Sequence, residues 1–119
     1  MVSAVTLWSV HKKRPVHTVA NAHGGTATLP RWVSAVAALP FSDLAASGSC
    51  DGFVRFWNAD AAERILEPAF EAPLPGFIND LCFSSNGKFA VAAVGQEHRL
   101  GRWSRIPDAK NGLAIISFN

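Results

Sequence analysis

The chain has 119 residues, 49% of them apolar and 17% charged, a balance rich in core and poor in charge. That length suits one small domain, and a net charge of +2 is too small to argue for nucleic-acid binding by itself. No apolar run reaches the roughly 18 residues of a spanning helix, and Met1 to Val10 lacks the basic segment and long apolar stretch expected of a secretory leader.

In chain order, residues 4–9 read as a strand closing at Trp8. His11-Lys12-Lys13-Arg14-Pro15 follows as a loop, because Pro15 limits helix formation, and it leads into a strand over Val16 to Ala20. The basic loop has two readings, a solvated turn or a phosphate contact. Asn21 to Arg31, with Gly24-Gly25 and Pro30, is a connecting loop. Trp32 to Leu39 and Leu44 to Ser49 are the next two strands, joined by a hairpin over Pro40 to Asp43. Asp51-Gly52 is a favoured hairpin turn, since Gly tolerates positive φ and the Asp side chain bonds turn backbone. Phe53 to Asn58 then alternates with apolar residues on both faces, as in a strand covered on both sides. Ile65 to Phe70 is an outer strand, where Glu67 and Pro68 suit an edge. After Pro73 to Gly76 come strands at Phe77 to Phe83, Phe89 to Val94 and Arg99 to Trp103, the first two joined by a hairpin turn at Asn86-Gly87. Ile106 to Gly112 is a polar loop, and Leu113 to Phe118 reads as the outer strand of the last unit.

The chain repeats itself. Trp57 is echoed by Trp103, 46 residues on, and by Trp8, 49 residues back. Trp32 to Val36 is echoed by Phe77 to Leu81, and Leu44 to Ser47 by Phe89 to Ala92, both at a spacing of 45. Four strands recurring every 40–45 residues or so point to propeller blades. The expected fold is all-β: a WD40-type β-propeller fragment of about two and a half four-stranded blades. Its units are the end of one blade over 1–20, a full blade over 32–70 and a full blade over 77–118. Trp8, Asp51, Trp57 and Trp103 are the structural blade markers; Trp57-Asn58 stands where such a blade usually ends its third strand in Trp-Asp. Many blades also carry a Gly-His pair whose imidazole bonds the turn Asp. Here the order is inverted, His23-Gly24, and the spacing to Asp51 is long, so that contact is left open. A propeller needs about 4–8 blades, so the chain is not expected to close a ring alone. It is expected to be the C-terminal part of a longer protein or a truncated product, and poorly soluble in isolation.

No catalytic constellation is present: no GxSxG, no HExxH and no phosphate-binding loop. Cys50 and Cys82 have no CxxC spacing and are expected to be buried thiols of an intracellular protein, with no metal site and no cofactor. His11, His17 and His23 recur every six residues but straddle Pro15, which fits exposed or capping histidines. Gln96-Glu97-His98-Arg99 is the most unusual polar run. It is either a turn with Glu97 capping backbone N–H groups, or a surface for RNA or a polar protein partner. Arg102 and Arg105 bracket Trp103, and either could stack on an indole face.

The segments Leu7 to Val16, Gly76 to Asn79, Phe83 to Ser85 and above all Val94 to Trp103 are similar to the C-terminal blades of the WD-repeat proteins specific to the U3 small nucleolar ribonucleoprotein. The resemblance covers about Val5 to Phe118. It implies a propeller that binds U3 small nucleolar RNA together with box C/D core proteins and processome proteins. It further implies a nucleolar, non-catalytic subunit supporting pre-rRNA processing to small-subunit rRNA, with no membrane and no small-molecule substrate. By motif match it assigns RNA or partner contact to His11, Lys12, Lys13, Arg14, Gln96, Glu97, His98, Arg99 and Arg102. Three other readings are a generic WD-repeat scaffold for protein partners, a propeller hydrolase that lacks acid–base pairs, and an incomplete, non-functional fragment.

Overall fold

A computed structural model describes residues 4–8, 13–15, 17–20, 22–24, 32–39, 42–60, 63, 65–98, 101–106 and 109–118. Every element among them is a strand, and every pairing is antiparallel. β1 (Val5–Leu7) pairs with β2 (His17–Val19). Next comes a four-stranded meander of β3 (Ala35–Ala38), β4 (Leu44–Gly48), β5 (Phe53–Asp60) and β6 (Ile65–Pro73). The ladder shifts where Phe56 faces Phe70 and Trp57 faces Pro68. Pro68 has no N–H to give, and a bulge on an outer strand absorbs it.

The middle sheet is covered on both faces, and residue size explains how. Val54 and Phe56 point one way, into a cluster with Ala46, Ile78, Leu81, Ala90, Ala92 and Val94. Trp57 points the other way, onto Leu66, Val5 and Ala22, and so joins the sheet to β1 and β2. β2 is also tied to β6, because the Leu66 N–H donates to His17 Nδ1 at 2.9 Å. The first cluster is the seam between the middle sheet and the sheet that follows. β4 meets that seam with Ala46 and Gly48, residues small enough for close approach. A Cβ on Gly48 would lie 2.3 Å from Ile78 Cγ2 and 2.5 Å from its Cβ. The Ile78 N–H donates to the Ser49 carbonyl at 3.0 Å, so the sheets are also pinned by backbone there. Gly48→Ala is therefore expected to cost about 2–3 kcal/mol through overpacking, visible as a lower urea midpoint; an unchanged midpoint would show that the seam has room.

The last sheet contains β7 (Phe77–Phe83), β8 (Phe89–Gly95) and β11 (Gly112–Ser117), in the order β11-β8-β7. Asn86-Gly87 makes the turn as expected, with Gly87 at a φ of 71°. The strand assignment after it needs correcting. Arg99 to Trp103 does not take the third place. Instead β9 (Glu97–His98) and β10 (Gly101–Arg105) pair with each other as a separate ribbon, and β11 lies beside β8. Trp103 is thus a ribbon residue and not the counterpart of Trp57. The physical reason lies in the side chains. Ala114, Ile116 and Phe118 can pack onto the seam, whereas a segment holding Arg99, Arg102 and Arg105 would put charge against it. Trp8 directly follows β1 and is exposed at 58%. Cys82 is exposed, not buried, because its neighbour Leu81 takes the inward place in β7; Cys50 is half-buried in the turn before β5.

Candidate nucleic-acid interface

Two polar constellations stand out. The first is a chain of side chains under the Asp51-Gly52 turn. Trp57 Nε1–H donates to Ser47 Oγ at 2.9 Å, Ser47 Oγ lies 2.7 Å from His23 Nε2, and His23 Nδ1 lies 2.9 Å from Asp51 Oδ1. The direction of the Ser47–His23 bond follows the ring: Ser47 donates to a neutral imidazole and accepts from a charged one. Arg55 then closes over Asp51, its Nε and Nη2 donating to Oδ2 at 3.1 and 2.9 Å, while Nη1 reaches Glu71 at 2.7 Å. Ser47 and His23 are buried at 0% and 2% exposure, so each depends on these partners. Burial pushes the Asp51 carboxyl up, but the hydrogen bonds and charge supplied by His23 and Arg55 outweigh it and hold its pKa below the ordinary value.

The second constellation is the base of the ribbon. β8 ends at Gly95, and the chain turns out of the sheet at Gln96. The Ile106 N–H returns to the Gln96 carbonyl at 2.8 Å, closing the ribbon's neck. Gln96 N–H donates to Asn111 Oδ1 at 2.9 Å, and Gln96 Nε2 donates to the Ala109 carbonyl at 3.0 Å. Asn79 Nδ2 donates to the Glu97 carbonyl at 3.2 Å. Beyond this neck β9 and β10 pair with each other as a two-stranded ribbon, with His98 on β9 and Arg102 on β10. Among the described residues no group of three or more His, Cys, Asp or Glu is placed to hold a metal ion, and no helix is long and apolar enough to cross a membrane.

A family model described as WD domain, G-beta repeat, matches residues 13–58. Those residues run from the basic loop through His23, Ser47, Asp51 and Arg55 to Trp57, all of the first constellation but Glu71. Two solved structures superpose on nearly all of the chain. One, described as the structure of U3-55K, has a TM-score of 0.92 and 48% identity, covering 98% of this chain and 37% of its own. The other, the crystal structure of RRP9 WD40 repeats, has a TM-score of 0.90 and 49% identity over 97% of this chain and 36% of its own.

The chain has the fold of WD-repeat proteins.

Several of its sequence relatives are named for the U3 particle. U3 small nucleolar RNA-interacting protein 2 of Mus musculus is 52% identical over 95% of this chain. A U3 snoRNP-associated protein-like of Arabidopsis thaliana is 44% identical over 94%. The chain spans about a quarter of the length of these relatives, 25% and 26% respectively.

Within this WD-repeat frame the predicted contact residues separate. Lys13 and Arg14 are exposed, ahead of β2. His11, Lys12 and Arg99 lie outside the described residues. Gln96 is partly buried, and its side-chain amide donates inward to Ala109, so it braces the neck. Glu97 and His98 form β9, and Arg102 lies on β10. The His23–Asp51 contact, left open by the sequence, forms. Sequence reasoning missed Ser47, Asn79 and Asn111. Ser47 had a readable signal, a hydroxyl in a run of small residues one strand away from Trp57. The two asparagines had none, because their partners are backbone groups.

Proposed function

We propose that this chain is a non-catalytic, RNA-binding segment of a U3 small nucleolar ribonucleoprotein subunit, acting in the nucleolus in the processing of pre-rRNA. In this reading its blade units are 1–20, 32–70 and 77–118. The observation that carries it is the ribbon formed by β9 and β10, held at its neck by hydrogen bonds from Gln96 and Asn79 and bearing Arg102 on a strand that pairs only with β9. A blade needs only a short turn between its second and third strands, as at Cys50 to Gly52. A longer, braced, arginine-bearing element suits a folded RNA, whose phosphates and splayed bases take charge and stacking. The names of the relatives, which interact with or associate with the U3 particle, support the same reading. The chain would meet U3 RNA beside box C/D core proteins and processome proteins.

The basic loop offers a second contact. Changing Lys12, Lys13 and Arg14 together to alanine is expected to weaken RNA retention and to make its salt dependence shallower by about 2–3 units of slope. The check is immunoprecipitation of the tagged endogenous polypeptide at graded salt, with sequencing of the bound RNA. An unchanged slope removes the loop from the interface. Recovery of proteins without any U3 RNA would favour the generic scaffold instead.

A further inference from the structure

We propose that Asn79 and Asn111 are positioning residues that set the angle of the RNA-reading ribbon; this rests on the proposed function above. The ribbon cannot orient itself. β9 is two residues long, and the pairing slips between Gly101 and Arg105. An isolated two-stranded pair is marginally stable in water, so its direction is set at the neck.

The neck is built for that task by a bulge. In β7, Ile78 pairs with Val94 and Asp80 pairs with Ala93, which leaves Asn79 out of the ladder. Bulges re-aim a side chain, and this one turns the Asn79 amide onto the Glu97 carbonyl at 3.2 Å, the first residue of the ribbon. From the other side Asn111, one residue before β11, accepts the Gln96 N–H at 2.9 Å. Both amides converge on Gly95. A Cβ there would lie 3.0 Å from Asn79 Nδ2, 3.1 Å from the Glu97 carbonyl and 3.5 Å from Asn111 Oδ1. Gly95 thus has no side chain where the two asparagines come in. Each strand beside β8 contributes one contact: β7 gives a donor, and the residue leading into β11 gives an acceptor. The ribbon emerges between them.

The two asparagines have opposite polarity, which makes the same substitution diagnostic. An aspartate at 111 still accepts from the Gln96 N–H. An aspartate at 79 has no proton to donate and sets a carboxylate oxygen against the Glu97 carbonyl. Both changes add one negative charge near the ribbon. Asn79→Asp is therefore expected to weaken binding of transcribed U3 RNA to the purified endogenous polypeptide about 10-fold, Asn111→Ala by a similar factor, and Asn111→Asp by less than about 2-fold. Hydrogen exchange should quicken in Glu97 to Arg105 for the two weak variants, with β7 and β8 unchanged. Equal losses for Asn79→Asp and Asn111→Asp would mean a charge effect and overturn the proposal. So would a loss of binding accompanied by faster exchange throughout β7 and β8, which marks general destabilisation. Paired Arg99→Ala and Arg102→Ala separates the two levels. If that pair leaves binding intact, the RNA-contact reading of the ribbon fails and takes this inference with it. If the pair weakens binding while Asn79→Asp does not, only the positioning role fails.

Discussion

Truncating Phe56 to alanine is expected to lower the unfolding free energy by about 4 kcal/mol. Phe56 is fully buried in the seam between the middle and last sheets. Its ring stacks on Phe70 at 4.5 Å and 14°, and meets Phe118 edge-on at 5.3 Å and 87°, with Phe83 at 6.2 Å. Aromatic pairs of this geometry add about 0.5–1.5 kcal/mol to what burial alone contributes. The hole left by alanine would not close easily, because β5 is held in register on both sides, Phe56 facing Ala46 on β4 and Phe70 on β6. Phe56→Leu keeps most of the volume and loses the ring contacts, so a cost of about 1–2 kcal/mol is expected. Urea denaturation of the purified variants measures both. If leucine costs as much as alanine, the loss lies in the ring contacts and not in the filled volume; if neither variant shifts the midpoint, the seam is held without the Phe56 side chain.

Much of the middle blade was legible because local chemistry and tertiary need agree there. Asp51-Gly52 turns the chain, β5 carries apolar residues on both faces, and both faces are covered. The same holds at Asn86-Gly87 between β7 and β8. Strand ends moved by a few residues: β3 is shorter than Trp32 to Leu39 suggested, and β6 runs on to Pro73.

The reading failed where a repeat marker competed with packing. Trp103 sits at the right distance from Trp57 to mark a third strand, but distance along the chain does not decide which segment can lie in a blade. Residues 113–118 alternate, with Leu113 and Ile115 outward and Ala114, Ile116 and Phe118 against the seam. Arg99 to Trp103 offers no such face. Weighing hydrophobic alternation above Trp spacing would have put β11 beside β8 and freed 97–105 as an insertion. His23 posed the opposite difficulty: 28 residues separate it from Asp51 in sequence, and only the folded chain brings them to 2.9 Å. The neck of the ribbon was not legible at all, since a bulge in β7 leaves no mark in composition.

Asp51→Ala is expected to cost about 3 kcal/mol, because it strips one end of a buried polar chain. His23 would keep Ser47 but lose the acceptor for Nδ1 at a site only 2% exposed. Arg55 would keep Glu71 and lose both bonds to Oδ2. Asp51→Asn leaves an oxygen for His23 but no charge for Arg55, so a smaller loss of about 1–2 kcal/mol is expected. The pH dependence gives an independent check. The folded pKa of Asp51 lies below the unfolded one, so its stabilisation is fully present above the ordinary carboxylate range. It is lost as pH falls through the depressed folded value. Wild-type stability should therefore fall on acidification below about pH 4, and Asp51→Asn should flatten that part of the curve. A wild-type and an Asp51→Asn curve that run parallel through this window would mean that the carboxylate's charge does not support the fold. The chain would then rest on the neutral bonds among Trp57, Ser47 and His23. Parallel curves together with a full 3 kcal/mol loss in Asp51→Ala would place the whole effect in the vacated acceptor beneath the turn.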